Sequence, residues 1–174
     1  MHTLETERLM MRRPQREDFD AFAALWADPE MLINLPFDPQ TRAECWPRFL
    51  RNAGSWSILG YGSWLVFEKS GGFVGTAGFF DAARGLGPDF DNSREAGWVF
   101  TPSSSGKGIA TEAMKAALGW MDSQNFGSQT VCMTGTDHVA SIKVAEKCGY
   151  SLLREAKDEY GAVRLMVREK PATN

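Results

Sequence analysis

Residues that signal metal or redox chemistry are scarce in this chain. Its 174 residues include three cysteines, Cys45, Cys132 and Cys148, and two histidines, His2 and His138. The cysteines are odd in number and form no CxxC pair, which excludes a disulfide framework and predicts reduced, buried thiols of a cytoplasmic protein. No ligand cluster surrounds either histidine, so no metal site is expected. No apolar run approaches the ~20 residues needed to span a bilayer. The charged opening Met-His-Thr-Leu-Glu-Thr-Glu-Arg is unlike a signal peptide, so no membrane partner is expected. Positive charge is not in excess: 19 Lys and Arg against 22 Asp and Glu leave a net charge of -3. That balance excludes a general nucleic-acid coat. Repeats, linkers and low-complexity stretches are absent, and one domain over residues 1–174 is expected.

What is present is an ordered set of amphipathic elements. Residues 8–12 read as a first strand. Phe19, Phe22, Ala23 and Trp26 fall at i, i+3, i+4 and i+7, the stripe of a helix, which Asp28-Pro29 ends. After a proline-bearing loop at residues 34–39, Trp46, Phe49, Leu50 and Ala53 predict a second helix stopped by Gly54. Two strand-like runs, Ser63–Glu68 and Phe73–Phe80, flank the turn Ser70-Gly71-Gly72. Residues 81–94 read as a long polar loop. A strand over residues 95–100 follows, then Pro102, small polar residues, and a helix with Ala110, Ala113, Met114, Ala117, Leu118 and Met121 on one face. Residues 130–134 predict a strand, and residues 141–148 a short helix closed by Gly149. Residues 150–154 and 163–168 predict a last antiparallel pair. The strand-helix-strand portion implies a parallel pair with a right-handed crossover. The fold class is therefore α/β (α+β): a mixed sheet of six or seven strands with a central parallel pair and flanking helices.

The segment Ser105-Gly106-Lys107-Gly108-Ile109-Ala110-Thr111 joins a strand to a helix. Such a turn is an anion site, because unpaired amides of the first helical turn and the helix dipole both favour negative charge. Gly106 and Gly108 permit close backbone approach, and Lys107 adds a cation. A P-loop is excluded: Thr101 stands at its first Gly, and Gly108 at its Ser/Thr. A dinucleotide fingerprint is incomplete, with Thr111 at its third Gly.

The turn resembles the coenzyme A motif Gln/Arg-x-x-Gly-x-Gly/Ala of the GNAT N-acetyltransferase superfamily, with Ser105 at the usual Gln or Arg. Other pieces, in order, are similar to the ribosomal-protein-alanine type of that superfamily. They are Thr6-Glu7-Arg8-Leu9 with Arg12, Gly60-Tyr61-Gly62-Ser63-Trp64, Glu95-Ala96-Gly97-Trp98, and His138 through Ser141 to Glu146-Lys147-Cys148-Gly149-Tyr150.

The resemblance implies acetyl-CoA as cosubstrate, with pantetheine between two splayed parallel strands. Backbone groups of Val99, Phe100 and Thr101 would pair with it, and Ser105, Gly106, Lys107, Gly108, Ile109, Ala110 and Thr111 would hold the pyrophosphate. Ser141 matches the serine near the thioester sulfur, which donates to the departing thiolate; as a bare sequence feature it also reads as a helix N-cap. His138 stands at the usual Asn, which contacts pantetheine; the other readings are a base, with an ordinary imidazole pKa near 6.5, or a plain polar residue at a strand–helix junction. The tyrosine acid common in this helix is replaced by Ala145.

Glu95 shares a strand face with Gly97 and Val99 and is the candidate general base, acting through a water; the plainer reading is a solvated carboxylate. Neutralising an α-amine at pH 7 costs about 1.4 kcal/mol and a lysine-like amine roughly 4–5 kcal/mol, so a weak base suffices for the first. A backbone amide of Val99 or Phe100 is the candidate oxyanion donor. Trp46, Trp56, Trp64 and Trp98 read as core rather than as a substrate cage. The expected partners are a protein N-terminal or small-molecule amine, with the chain a monomer or homodimer. Asp81, Asp89 and Asp91 are candidates for attracting a cationic acceptor. The competing reading is a non-catalytic acyl-CoA binder on the same fold.

Overall fold

The computed structural model describes residues 3–172, and His2 lies outside them. Strands β1 (Leu4–Glu5) and β2 (Leu9–Arg12) precede helices α1 (Phe19–Ala27), α2 (Pro29–Leu32) and α3 (Arg42–Ile58). Strands β3 (Ser63–Glu68) and β4 (Phe73–Phe80), helix α4 (Pro88–Asp91) and strand β5 (Arg94–Phe100) follow. The second half runs α5 (Ile109–Ser123), β6 (Gln129–Gly135), α6 (Val139–Lys147), β7 (Ser151–Lys157) and β8 (Ala162–Glu169).

One eight-stranded sheet has the order β1-β2-β3-β4-β5-β6-β8-β7. Every neighbouring pair is antiparallel except β5 and β6. The sheet exceeds the expected six or seven strands because Leu4–Glu5 pairs with Met10 and Met11. Two residues are too few to show a period of two.

Strand alternation separates two faces. Trp64, Val66, Ala77, Phe79, Ala96 and Cys132 pack with α5 and α6, through Ala113, Met114, Ala117 and Ala145. Leu65, Phe67, Phe73 and Val99 pack with α1 and α3, through Phe19, Phe22, Trp26, Cys45 and Phe49. A third cluster joins Val131, Val163 and Leu165 to Phe90 of α4. Trp56 and Trp64 are core, and Trp46 and Trp98 are half-buried against it.

Helix α3 corrects two expectations. It opens at a capping box, with Thr41 and Glu44 bonded reciprocally, and it runs through Gly54 to Ile58. The mid-helix glycine costs about 1 kcal/mol, which burying the Trp56 ring one half-turn later offsets. The buried stripe is Cys45, Phe49 and Trp56, while Leu50 is 49% exposed. The loop at residues 81–94 also has structure: it contains α4, and Arg94 already belongs to β5. All three cysteines are free and buried, and burial pushes the Cys148 thiol up to about 11. No helix among the described residues is long and apolar enough to cross a membrane.

Candidate functional site

The parallel pairing of β5 and β6 is short. Its register runs Arg94–Thr130, Glu95–Val131 and Ala96–Cys132 and stops there. Beyond Ala96, β5 stays with β4 as far as the Phe100–Gly75 pair, while β6 stays with β8 as far as Gly135–Val163. The two strands therefore part in the middle of the sheet and leave an edge of β5 open.

The phase of the ladder decides which backbone groups line that opening. The Thr101 amide donates to Val74 of β4 at 2.9 Å, and antiparallel pairs alternate in direction. Val99 and Thr101 thus turn their amides toward β4, and the Thr101 carbonyl accepts from Ser104 at 2.9 Å. Trp98 and Phe100 turn theirs toward the opening. The phase therefore puts the amides of Trp98 and Phe100, and not those of Val99 and Thr101, on the side of the opening, and register phase leaves no mark on a single sequence.

At the end of β5 the chain enters a short 3-10 turn at Pro102–Ser104, and then α5. Gly106 and Gly108 have φ of 73° and 77°, the left-handed region that favours glycine. The first intrahelical bond runs from Glu112 N–H to Gly108 C=O at 3.0 Å, so the amides of Ile109, Ala110 and Thr111 lie ahead of it. Residues 105–108 are exposed. A cleft of ≈ 410 Å³ is lined by Gly108, Thr111, Lys115 and Lys147 with Thr6, Glu7 and Glu112.

Glu112 places a carboxylate in this anion-accepting turn, and the N-terminal segment neutralises it. Thr6 Oγ1 donates to Glu112 at 2.5 Å, the Arg8 amide at 3.0 Å and Arg8 Nε at 2.7 Å. Arg8 Nη1 also donates to the Lys107 carbonyl at 2.9 Å. Arg8 thus braces the turn, and Lys115 and Lys147 bring cations to the cleft. Sequence reasoning missed these roles, because they depend on contacts about a hundred residues apart.

Helix α6 starts just past the end of β6, two residues earlier than expected. Its N-cap is His138, not Ser141. The His138 Nδ1 accepts from the Ser141 amide at 3.4 Å, and Nε2 lies 3.1 Å from Ser141 Oγ. With Nδ1 as acceptor, the neutral ring carries its proton on Nε2 and donates to Oγ, leaving the Ser141 hydroxyl hydrogen available to another acceptor. Burial lowers the His138 pKa, which favours that neutral ring.

Glu95 sits on the opposite face from α5 and is 5% exposed. Its carboxylate accepts from Arg84 Nε at 2.7 Å and Nη2 at 2.8 Å, a bidentate ion pair. Burial raises the Glu95 pKa, and the Arg84 guanidinium opposes that rise. The solvated-carboxylate reading is therefore overturned, and Arg84 was not foreseen. Two of the three acidic loop residues are engaged inside the protein. Asp89 pairs with Arg154, and Asp91 accepts from the Gly87 amide at 2.8 Å. Among the described residues no group of three His, Cys, Asp or Glu is arranged to hold a metal ion.

Residues 8–151 match the family model described as the acetyltransferase (GNAT) domain. An N-acetyltransferase of Bacillus licheniformis named p20, itself uncharacterized, is 28% identical over 121 residues. The match covers 68% of this chain and 65% of that protein, so the chain spans just under two thirds of the relative's length. A solved structure from Bordetella pertussis, described as a GNAT-family acetyltransferase, aligns over 97% of this chain and 99% of its own, at TM-score 0.86 and 27% identity. The RimL ribosomal L7/L12 α-N-protein acetyltransferase in complex with coenzyme A aligns over 97% and 98%, at TM-score 0.80. With 18% identity, that last likeness is one of fold.

Proposed function

The chain belongs to the GNAT acetyltransferase family, and we propose that it moves an acetyl group from acetyl-coenzyme A to a primary amine, of a protein N-terminus or a small molecule, by direct attack in a ternary complex. The observation that carries this reading is the parting of β5 from β6 beyond Ala96 and Cys132, with the glycine turn at its end and a buried carboxylate on the far face. The related fold of the L7/L12 acetyltransferase holds coenzyme A, and the donor set here suits the same group. It offers leading amides of α5 for a pyrophosphate, Lys115 and Lys147 for phosphate charge, and an open strand edge for an amide-bearing arm.

Acetyl-CoA supplies an activated acyl group with a thiolate leaving group. The protein's own residues do the rest. Glu95 takes a proton from the acceptor amine through a water. The Phe100 or Trp98 amide donates to the oxygen that gains charge as the amine attacks. Ser141 donates a hydrogen bond from its hydroxyl to the departing thiolate sulfur, with His138 fixing the orientation of Oγ. We assign His138 this supporting role on the strength of its two contacts with Ser141.

Thiol release with a panel of amines tests the proposal. The panel comprises peptides with free N-terminal alanine or serine, spermidine and an aminoglycoside. Acceleration by one amine, abolished in Glu95→Gln, is the expected result. Coenzyme A binding without any accelerated thiol release favours the acyl-CoA binder, to which the closed Arg84–Glu95 pair lends support.

A further inference from the structure

We infer that Arg84 is a positioning residue for Glu95: its forked guanidinium fixes and aims the buried carboxylate, which makes the loop at residues 81–93 part of the catalytic machinery. The inference rests on the reading of Glu95 as the base.

Several observations carry it. The pair is bidentate, through Arg84 Nε and Nη2, and Arg84 stays 31% exposed while Glu95 is closed off. The backbone that presents Arg84 is in a costly conformation. Ala83 has φ of 46° and is the non-glycine residue with positive φ among the described residues, followed by Gly85 at 71° and Gly87 at 116°. A non-glycine residue in that region costs about 1–2 kcal/mol, and such strain persists where surrounding structure enforces it. That surrounding structure is visible. Arg154 Nε and Nη2 donate to Asp89 at 2.8 and 3.0 Å, and Arg154 also donates to the Leu86 carbonyl. The Gly87 amide donates to Asp91, and Phe90 is sunk into the cluster of Val131, Val163 and Leu165. The loop is bolted down on the C-terminal side of the residue it delivers.

The charges around Glu95 show why it needs a cation. Asp81 and Asp91 of the same loop face it with like charge, and the Cys132 thiol of β6 lies within its field. Arg84 in turn feels Asp91 and Asp158 of the β7–β8 turn. Stripped of Arg84, the carboxyl loses the cation that opposes the rise in its pKa and holds its proton to higher pH. With Arg84 in place, each carboxylate oxygen spends one lone pair on the guanidinium and keeps another for a water or an amine.

The test uses the full chain labelled with δ-13C glutamate, in wild type, Arg84→Lys and Arg84→Met, with Glu95→Gln identifying the resonance. In Arg84→Met the Glu95 titration midpoint is expected to rise by about two units. The acid limb of kcat/KM for the best amine of the panel should move up with it, while the KM for acetyl-CoA stays unchanged. Arg84→Lys, which keeps the charge and loses the fork, should give a smaller rise and recover part of kcat. Coenzyme A binding reports that each variant is folded; if Arg84→Met fails that check, Arg84→Lys decides alone. An unmoved Glu95 midpoint in a folded variant overturns the inference. So does a gain of turnover in Arg84→Met, which makes Arg84 a plug. Wild-type turnover in Glu95→Gln sinks the base reading instead, whatever Arg84 does to the midpoint.

Discussion

His138 and Ser141 face each other across the first turn of α6, with Nε2 3.1 Å from Oγ and Nδ1 taking the Ser141 amide. The imidazole does two jobs: it caps the helix, and it fills one acceptor site of the hydroxyl so that the hydrogen is left to point elsewhere. Ser141→Ala should lower kcat by about 10²-fold with little change in the KM for acetyl-CoA. His138→Asn keeps a cap and should cost far less, whereas His138→Ala loses about 1 kcal/mol of stability as well. Steady-state thiol release and thermal unfolding check these values. Wild-type kcat in Ser141→Ala removes the serine from the chemistry.

The glycine turn yields a second expectation. At φ of 77°, Gly108 has the left-handed backbone, and a Cβ there meets Arg8 only at an ordinary 3.6 Å. The penalty of Gly108→Ala is therefore conformational, about 1–2 kcal/mol, and it falls where the amides of α5 are aimed. Gly106→Ala carries the same strain at φ of 73° with open space around it. Both should lower Tm, and Gly108→Ala should also weaken coenzyme A binding by about tenfold or more. Calorimetry showing wild-type affinity in Gly108→Ala would put the phosphate site elsewhere.

Much of this was legible from the residues. The glycine turn, the helices at Phe19–Ala27 and Ile109–Ser123 and the parallel pair are local patterns, set by spacing and by glycine's conformational freedom. What escaped was set across distance or by phase. Val99 and Trp98 look equally able to face the cleft until the Thr101–Val74 bond sets the ladder. The stripe of α3 kept Phe49 but turned from Leu50 toward Cys45 and Trp56, since apolar residues lie on both sides of it. Arg84 sat in a stretch with no period at all, and only the fold brings it against Glu95.

Acid stability gives a third test. Burial raises the Glu112 pKa, but the bonds from Thr6 and Arg8 outweigh it and leave the group below its ordinary value. Asp89 is also lowered, chiefly by its bond from Arg154. A depressed carboxylate stabilises the fold above its unfolded pKa, near 4, and that contribution is lost as pH falls through the folded value. Unfolding followed against pH should therefore show stability falling below about pH 4. The slope should be shallower in Glu112→Gln. An identical slope in that variant excludes Glu112 as a contributor.

Phe90 separates anchoring from chemistry. It is 1% exposed and packs on Val131, Val163 and Leu165, strands of the central sheet. Phe90→Ala should cost about 3–5 kcal/mol, a large fraction of the 5–15 kcal/mol available to a domain. The loss is also local, because α5 and the glycine turn lie on the other face. At low temperature, where the variant stays folded, coenzyme A affinity should be unchanged, while the loosened loop lets Arg84 leave Glu95. Turnover at the amine should then fall further than stability alone explains, and it should fall most at the acid end of the pH range, where an unpaired Glu95 protonates first. Equal losses of coenzyme A affinity and turnover would mean that Phe90 holds the whole sheet together rather than the loop that carries Arg84.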